Sequence, residues 1–250
     1  MLRKILKLVG FLVLIIFIIG TLAFTSTESR NILCTDIQVI IDEDDPISID
    51  KDRLIRMIKS ADGKILSKTL DEINSEVLED EIGKNPAIYS ADAYKLIVND
   101  TTGSFKGVLV VKVKHRVPVM RVITSSGSYF LDKYGVRIPV SSSYSTNVLV
   151  TTGSVSEKFA VEKLLPFILY VEGNDFWNAQ IGQVHVEEDG DILLVPLVGE
   201  HVIELGDVDN YREKLNVMRE FYKQVLVKNN WDKYEKISLK YNNQVVAKRR

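Results

Sequence analysis

The sequence has 250 residues, 46% of them hydrophobic and 26% charged, with a net charge of -2. That apolar content supports a packed core and excludes wholesale disorder, while the slightly acidic balance excludes an electrostatic footprint for nucleic acid. The single cysteine, Cys34, excludes an intrachain disulfide.

The first predicted element is apolar. From Leu8 to Thr27 there are 20 residues without a charge, and Phe11–Ile19 is wholly apolar. An α-helix of that length spans about 30 Å, the thickness of a bilayer's hydrocarbon core. Arg3, Lys4 and Lys7 precede it, whereas Glu28 and Arg30 roughly cancel beyond it. The positive-inside rule therefore predicts a cytoplasmic tail over 1–7, a transmembrane helix over 8–27 and an extracytoplasmic remainder. Thr21-Leu22-Ala23 also offers a signal-cleavage site, but the run exceeds the usual apolar core of a cleaved signal, about 7–15 residues. Cys34 does not close the apolar run, and Asn31-Ile32-Leu33 lacks the small residues of a lipoprotein signal. It reads as a thiol at the start of the first strand.

A first folded stretch is expected over 34–116. Ile37, Val39 and Ile41 alternate with Asp36 and Gln38, which predicts a half-buried strand. After the acidic loop Asp42–Pro46, Leu54, Met57, Ile58 and Ala61 recur at helical spacing, so a helix covers 50–61 and ends at Asp62-Gly63. Thr69-Leu70-Asp71-Glu72 has the form of a capping box, and the spacing of Ile73, Val77 and Leu78 continues that helix to Lys84. Asn85-Pro86 stops it, because the residue before proline disfavours helical angles. Strands follow over Ile88–Ile97 and Val108–Arg116. The order strand, helix, helix, strand, strand directly after an anchor resembles a POTRA domain.

From Val117 to Arg250 the texture is that of a β-rich domain with two helical segments, which makes the whole chain α+β. Strands are expected over Val119–Ile123, Tyr129–Leu131, Val136–Val140 and Val148–Thr152, and a helix over Glu157–Tyr170 kinked by Pro166. Val184–Glu187 and Ile192–Val195 flank Asp189-Gly190, the signal of a two-residue hairpin. A long helix is expected over Asp209–Lys228 with the stripe Tyr211, Leu215, Met218, Tyr222, Val225. Strands over Ile237–Tyr241 and Gln244–Lys248 complete the domain.

Several stretches together resemble a known family. Asn85-Pro86-Ala87-Ile88-Tyr89-Ser90-Ala91 is similar to the helix-to-strand junction of the FtsQ/DivIB cell-division proteins. His115-Arg116-Val117-Pro118-Val119 resembles their segment joining the POTRA domain to the β-domain. Tyr129–Gly135 with Ile138-Pro139, Phe176–Ile181 and Ile237–Tyr241 look like further stretches of that family, in the same order. The resemblance implies a bitopic inner-membrane scaffold at the division septum, with its domains in the periplasm and no enzymatic activity or cofactor. It also implies partners similar to the small membrane proteins FtsB and FtsL, received by β-augmentation on the β-domain's last strands. Two other readings stand beside it: an anchored POTRA-type translocation or assembly factor, and a cell-wall hydrolase.

The residues expected to receive a partner are Ile237, Leu239, Lys240, Tyr241, Gln244 and Val245. Ile237, Leu239 and Tyr241 alternate with Ser238 and Lys240, so one face can pack while the backbone of an edge strand stays open to an incoming segment. The resemblance matches Tyr241 to the tyrosine of the family's Leu-Arg/Lys-Tyr run.

Residues that carry chemistry elsewhere are sparse. His115, His185 and His201 are far apart in sequence and lack the pairing of a zinc site. His115 is expected as a partly exposed strand residue, and His185 on the polar face of a hairpin. Asp42–Asp45 lacks the glycine and glutamate of a calcium loop, and Glu187, Glu188, Asp189 and Asp191 read as solubilising charges at a hairpin. Neither Gly127-Ser128 nor Gly153-Ser154 forms a nucleophile elbow, and no dinucleotide or phosphate-loop glycine pattern is present. Phe176 and Trp177 are expected in the β-domain core.

Overall fold

The computed structural model describes residues 9–21, 32–41, 49–99, 104–141, 146–225, 232–241 and 244–250. The tail 1–7, the acidic run Asp42–Asp45 and the end of the helix expected to reach Lys228 lie outside the described residues. Residues 9–21 form a helix, α1, whose apolar side chains are exposed. The span expected over 8–27 is therefore described only over 9–21. Thirteen residues rise about 20 Å, short of a hydrocarbon core. Among the described residues no helix is long and apolar enough to cross a membrane.

The chain divides into two compact units, Met1–His115 and Arg116–Arg250. The first carries a three-stranded sheet in the order β1-β3-β2, formed by Cys34–Ile41, Ile88–Asn99 and Phe105–His115. β1 runs parallel to β3, and β2 antiparallel to it. The central β3 is buried at Val108 and Val110 as well as at Leu109, Val111 and Val113. Burial on both faces fits its continuous apolar run better than simple alternation does.

Helix α2, Lys51–Ala61, starts at Asp50, whose carboxylate accepts from the Asp52 amide, and buries Leu54 and Ile58. The capping box is present, with the Thr69 amide donating to Glu72 Oε2 at 2.9 Å. It caps only a 3₁₀ turn, Leu70–Glu72, and not the long helix expected. Ile73 is extended and buried, and Asn74 opens a new helix, α3, over Ser75–Gly83 by accepting from the Val77 amide. A second good N-cap five residues after the first divides the segment in two.

The second unit is a nine-stranded mixed sheet in the order β12-β11-β10-β9-β8-β7-β4-β5-β6. Its strands are β4 Pro118–Thr124, β5 Gly127–Asp132, β6 Arg137–Pro139, β7 Leu149–Gly153, β8 Ile181–Val186, β9 Ile192–Pro196, β10 Val202–Gly206, β11 Tyr234–Ser238 and β12 Val246–Arg249. The β8–β9 loop spans Glu187–Asp191, longer than the two residues expected, and is closed by the Glu187 amide on the Asp191 carbonyl at 2.9 Å.

Pro166 does not break its helix. α4, Glu157–Phe159, passes through a π-helical turn, Ala160–Leu164, into α5, Leu165–Glu172. The wider turn absorbs the donor that proline lacks. A short helix α6, Asp175–Asn178, follows, and α7 covers Tyr211–Gln224. Phe167, Ile168 and Val171 of α5, Trp177 of α6, and Leu215, Met218 and Tyr222 of α7 share one core with sheet residues from Met120 to Ile237.

Candidate functional site

The six residues expected to receive a partner do not form one strand. Ile237 ends β11, which is an interior strand: it pairs in parallel with β10 on one side and antiparallel with β12 on the other. The strand expected over Ile237–Tyr241 is shifted to Tyr234–Ser238, and Leu239 and Lys240 lie past its end. Ile237 and Leu239 are fully buried in the core, and Val245 packs half-buried against it. Lys240, Tyr241 and Gln244 are exposed, Tyr241 at 59%. The sheet's edge is β12, a four-residue strand with Val246, Lys248 and Arg249 exposed.

Local chemistry fixes this arrangement. The Leu239 amide donates to the Glu204 carbonyl at 2.8 Å, so the chain leaves β11 while still held to β10. It then crosses over Gly206, which sits at φ +73; a Cβ there would lie 3.1 Å from Lys240 Cγ. Glycine alone tolerates both the left-handed backbone and that crossing.

Ion pairs tie the neighbouring strands together. Lys236 Nζ meets Glu204 Oε1 at 2.7 Å across β10–β11, and Lys248 Nζ meets Glu235 Oε2 at 2.9 Å across β11–β12. Lys240 reaches Asp191, and Arg250 reaches Glu200. Burial pushes the Glu204 carboxyl up, but hydrogen bonds from Lys236 and Ser238 outweigh it and hold the group below the usual glutamate range. The hydrogen bond from Lys248 likewise holds Glu235 low.

A cleft of about 200 Å³ is lined by Asn210, Glu213, Lys214 and Val217 of the α7 segment together with Leu239, Tyr241 and Gln244 from the chain between β11 and β12. Asn210 takes the left-handed conformation that turns the chain into α7. Lys214 Nζ donates to Asp207 Oδ1 at 2.7 Å and to the Asp207 carbonyl at 2.8 Å. Tyr241, Gln244, Val246 and Arg249 thus present an aromatic ring, an amide, an aliphatic group and a cation around an edge and a cleft. That surface suits a short extended segment: a strand adds to the backbone while a side chain enters the cleft.

The other residues singled out from the sequence fall elsewhere. His115 is buried, not partly exposed, and its Nε2 accepts from the Ile49 amide at 3.2 Å. His185 Nδ1 lies 2.9 Å from Thr152 Oγ1, and buried His201 lies 2.9 Å from the Tyr222 hydroxyl. Trp177 is fully buried, with Phe176 half-buried beside it under the Arg219 guanidinium, 5.1 Å from the ring centre. Cys34 is buried at the start of β1, and burial raises its thiol. Among the described residues the one metal-sized cluster is Glu187, Asp189 and Asp191, with oxygens within 4.8 Å of one another. Lys240 already neutralises Asp191 there.

Asp132 in the motif Tyr129–Gly135 was not weighed from the sequence as a residue with a role. Its buried carboxylate takes Arg116 Nη1 at 2.8 Å and the amides of Tyr134 and Val136 at 2.9 and 2.8 Å. It fastens the first residue of the unit to the β5–β6 turn.

Two family models match the chain. One, described as FtsQ/DivIB, C-terminal related, matches residues 117–248, and the other, described as a POTRA-like domain, matches residues 32–98. No curated protein matches the chain.

Proposed function

We propose a function from one premise: the chain belongs to the FtsQ/DivIB, C-terminal related family. That membership gives it a role in bacterial cell division. Within that role, our reading is a scaffold that works by protein–protein contact and carries out no chemical step. Residues 8–27 anchor it in the inner membrane with 1–7 in the cytoplasm and both folded units in the periplasm at the septum. In support, the uncharged run is long enough to span a bilayer, and its described portion is a helix with outward apolar side chains.

The partner is an FtsB-like segment, with an FtsL-like protein bound alongside it. The observation that carries this reading is the position of β12 at the end of the nine-stranded sheet. The incoming segment extends the sheet along Val246–Arg249, and Tyr241 and Gln244 contact its side chains. Ile237, Leu239 and Val245 shape the site from below, and Lys240 borders it.

Tyr241→Ala tests the site. Truncating an exposed aromatic anchor should weaken binding of an FtsB-like peptide by about 2 kcal/mol, on the order of 30-fold. The thermal melt should not move, because the ring is exposed. Unchanged affinity with an intact melt sinks the assignment of Tyr241. Depletion followed by microscopy tests the wider role: division failure gives filaments, whereas an outer-membrane assembly factor or a cell-wall hydrolase would leave septation in place.

A further inference from the structure

The exposed apolar side chains of the first unit gather at one end of its sheet. In β2 every residue from Tyr94 to Asn99 is exposed, including Leu96, Ile97 and Val98. Neighbouring residues of a strand point to opposite faces, so this end of the hairpin has both faces bare. Phe105, which pairs with Asn99, is 65% exposed. A strand that packs on a core normally hides one of its two faces. This stretch hides neither.

The register shows which end of the unit this is. β1 enters the sheet at Cys34, which pairs with Gly107, and Ile97 pairs with the same glycine from the other side. The Gly107 amide donates to the Leu33 carbonyl at 3.1 Å. A Cβ on Gly107 would lie 2.7 Å from that carbonyl and 2.8 Å from Leu70 Cγ, so glycine is what lets the entering chain pass so close. Leu33, itself half exposed, therefore sits beside the bare end of the hairpin. Only residues 28–33 separate Cys34 from the end of the uncharged run at Thr27. Fully extended, that chain reaches about 25 Å.

We infer that the distal end of the β2–β3 hairpin, Leu96–Val98 with Phe105 and Leu33, rests in the interfacial layer of the lipid bilayer. The tether holds this end near the membrane surface, and its aromatic and aliphatic side chains are those that partition into an interface. Lys95, exposed on the same stretch, favours anionic headgroups. The contact gives the first unit a fixed footing on the membrane. The inference rests on the anchor reading of residues 8–27.

The test uses the full chain in a Cys34→Ala background, reconstituted into vesicles of phosphatidylglycerol and brominated phosphatidylcholine. An environment-sensitive fluorophore is placed at Phe105→Cys, and for comparison at Tyr89→Cys. Tyr89 is exposed on the same strand, eight residues from Ile97 and so about 26 Å away. The Phe105 label should be blue-shifted and quenched at least about twofold relative to unbrominated vesicles, as expected of a group in the interface. The Tyr89 label should be unaffected. Vesicle flotation separates the two readings. A chain that fails to float refutes the anchor and the hairpin contact together. A chain that floats with an unquenched Phe105 label refutes the contact alone. Equal quenching at both sites, or a blue shift that bromine does not touch, also overturns it; the latter points to a second copy of the chain covering the patch.

Discussion

The two units leave very different edges on their sheets. β2 in the first unit is 12 residues long, and its outer half is apolar and exposed. β12 in the second is four residues long, ends in Lys248 and Arg249, and is held to β11 by the Lys248–Glu235 pair. Short length and charge are how a sheet protects an edge from indiscriminate pairing. β12 can therefore stay open for a chosen segment without inviting others. β2 is long and its outer half carries a single charge, Lys95, so in our reading it is covered, and the lipid surface covers it. In the second sheet two ion pairs join neighbouring strands, Lys236–Glu204 across β10–β11 and Lys248–Glu235 across β11–β12. Charge placement thus helps to hold the strands of the second sheet in register.

The largest way to break this contrast is Asp132→Ala. The change removes the buried carboxylate that accepts from the part-buried Arg116 guanidinium and from the Tyr134 and Val136 amides. A buried pair broken on one side costs about 3–5 kcal/mol. Calorimetry of the full chain should show the second unit's transition falling while the first unit's stays in place. A uniform shift of both would mean that the units do not melt independently.

Ile237→Ala comes next. It removes a fully buried side chain from an interior strand, at a cost of about 2–5 kcal/mol. Urea denaturation should show the loss, while Tyr241→Ala should leave the midpoint where it was. The pair separates the inward side of this run from its outward side. Equal midpoints in the two variants would remove the distinction drawn here between core and docking surface.

Gly206→Ala should cost about 1–2 kcal/mol, since it forces a left-handed angle on a residue with a Cβ and presses on Lys240. Its effect should fall on β10–β11 and on the cleft, read as faster amide exchange at Leu239. Unchanged exchange would show that the crossing yields without strain.

How much of this was legible follows the range of each signal. α2 was readable because its apolar spacing and its Asp62-Gly63 stop are local. β3 was readable as a strand, though not as one buried on both faces, because its second cover depends on neighbours distant in sequence. The second unit was harder. β10 was missed although Ile203 and Leu205 alternate with Val202 and Glu204, since five residues between turns carry little pattern. Without β10 the parallel pairing of β11 could not be foreseen, and Leu239 looked like a strand residue when it is buried by a crossing instead. Of the six residues expected from the sequence to receive a partner, Lys240, Tyr241 and Gln244 are the ones that lie exposed. Val246 was not singled out, because edge position belongs to strand order and not to composition.

The smallest predicted effect concerns the charges that distinguish the second sheet. Burial alone would raise Glu204, yet hydrogen bonds from Lys236 and Ser238 leave its carboxyl below the ordinary value of about 4.3. A carboxylate with a lowered folded value is stabilising above its unfolded value, and the contribution fades as pH falls through the folded value. Lys236 is partly exposed, so the pair contributes about 0.5–1 kcal/mol at neutral pH. Glu204→Gln should therefore be less stable by that amount at pH 7. The gap should close as the pH falls through the folded value, which lies below the ordinary glutamate range and is where the native carboxylate takes up its proton. Urea midpoints of both proteins across this range give the difference directly, and the other titrating carboxylates cancel between them. A gap that stays constant down to the acid end would mean that Glu204 acts through its shape and hydrogen bonding, with its charge contributing nothing to the hold of β10 on β11.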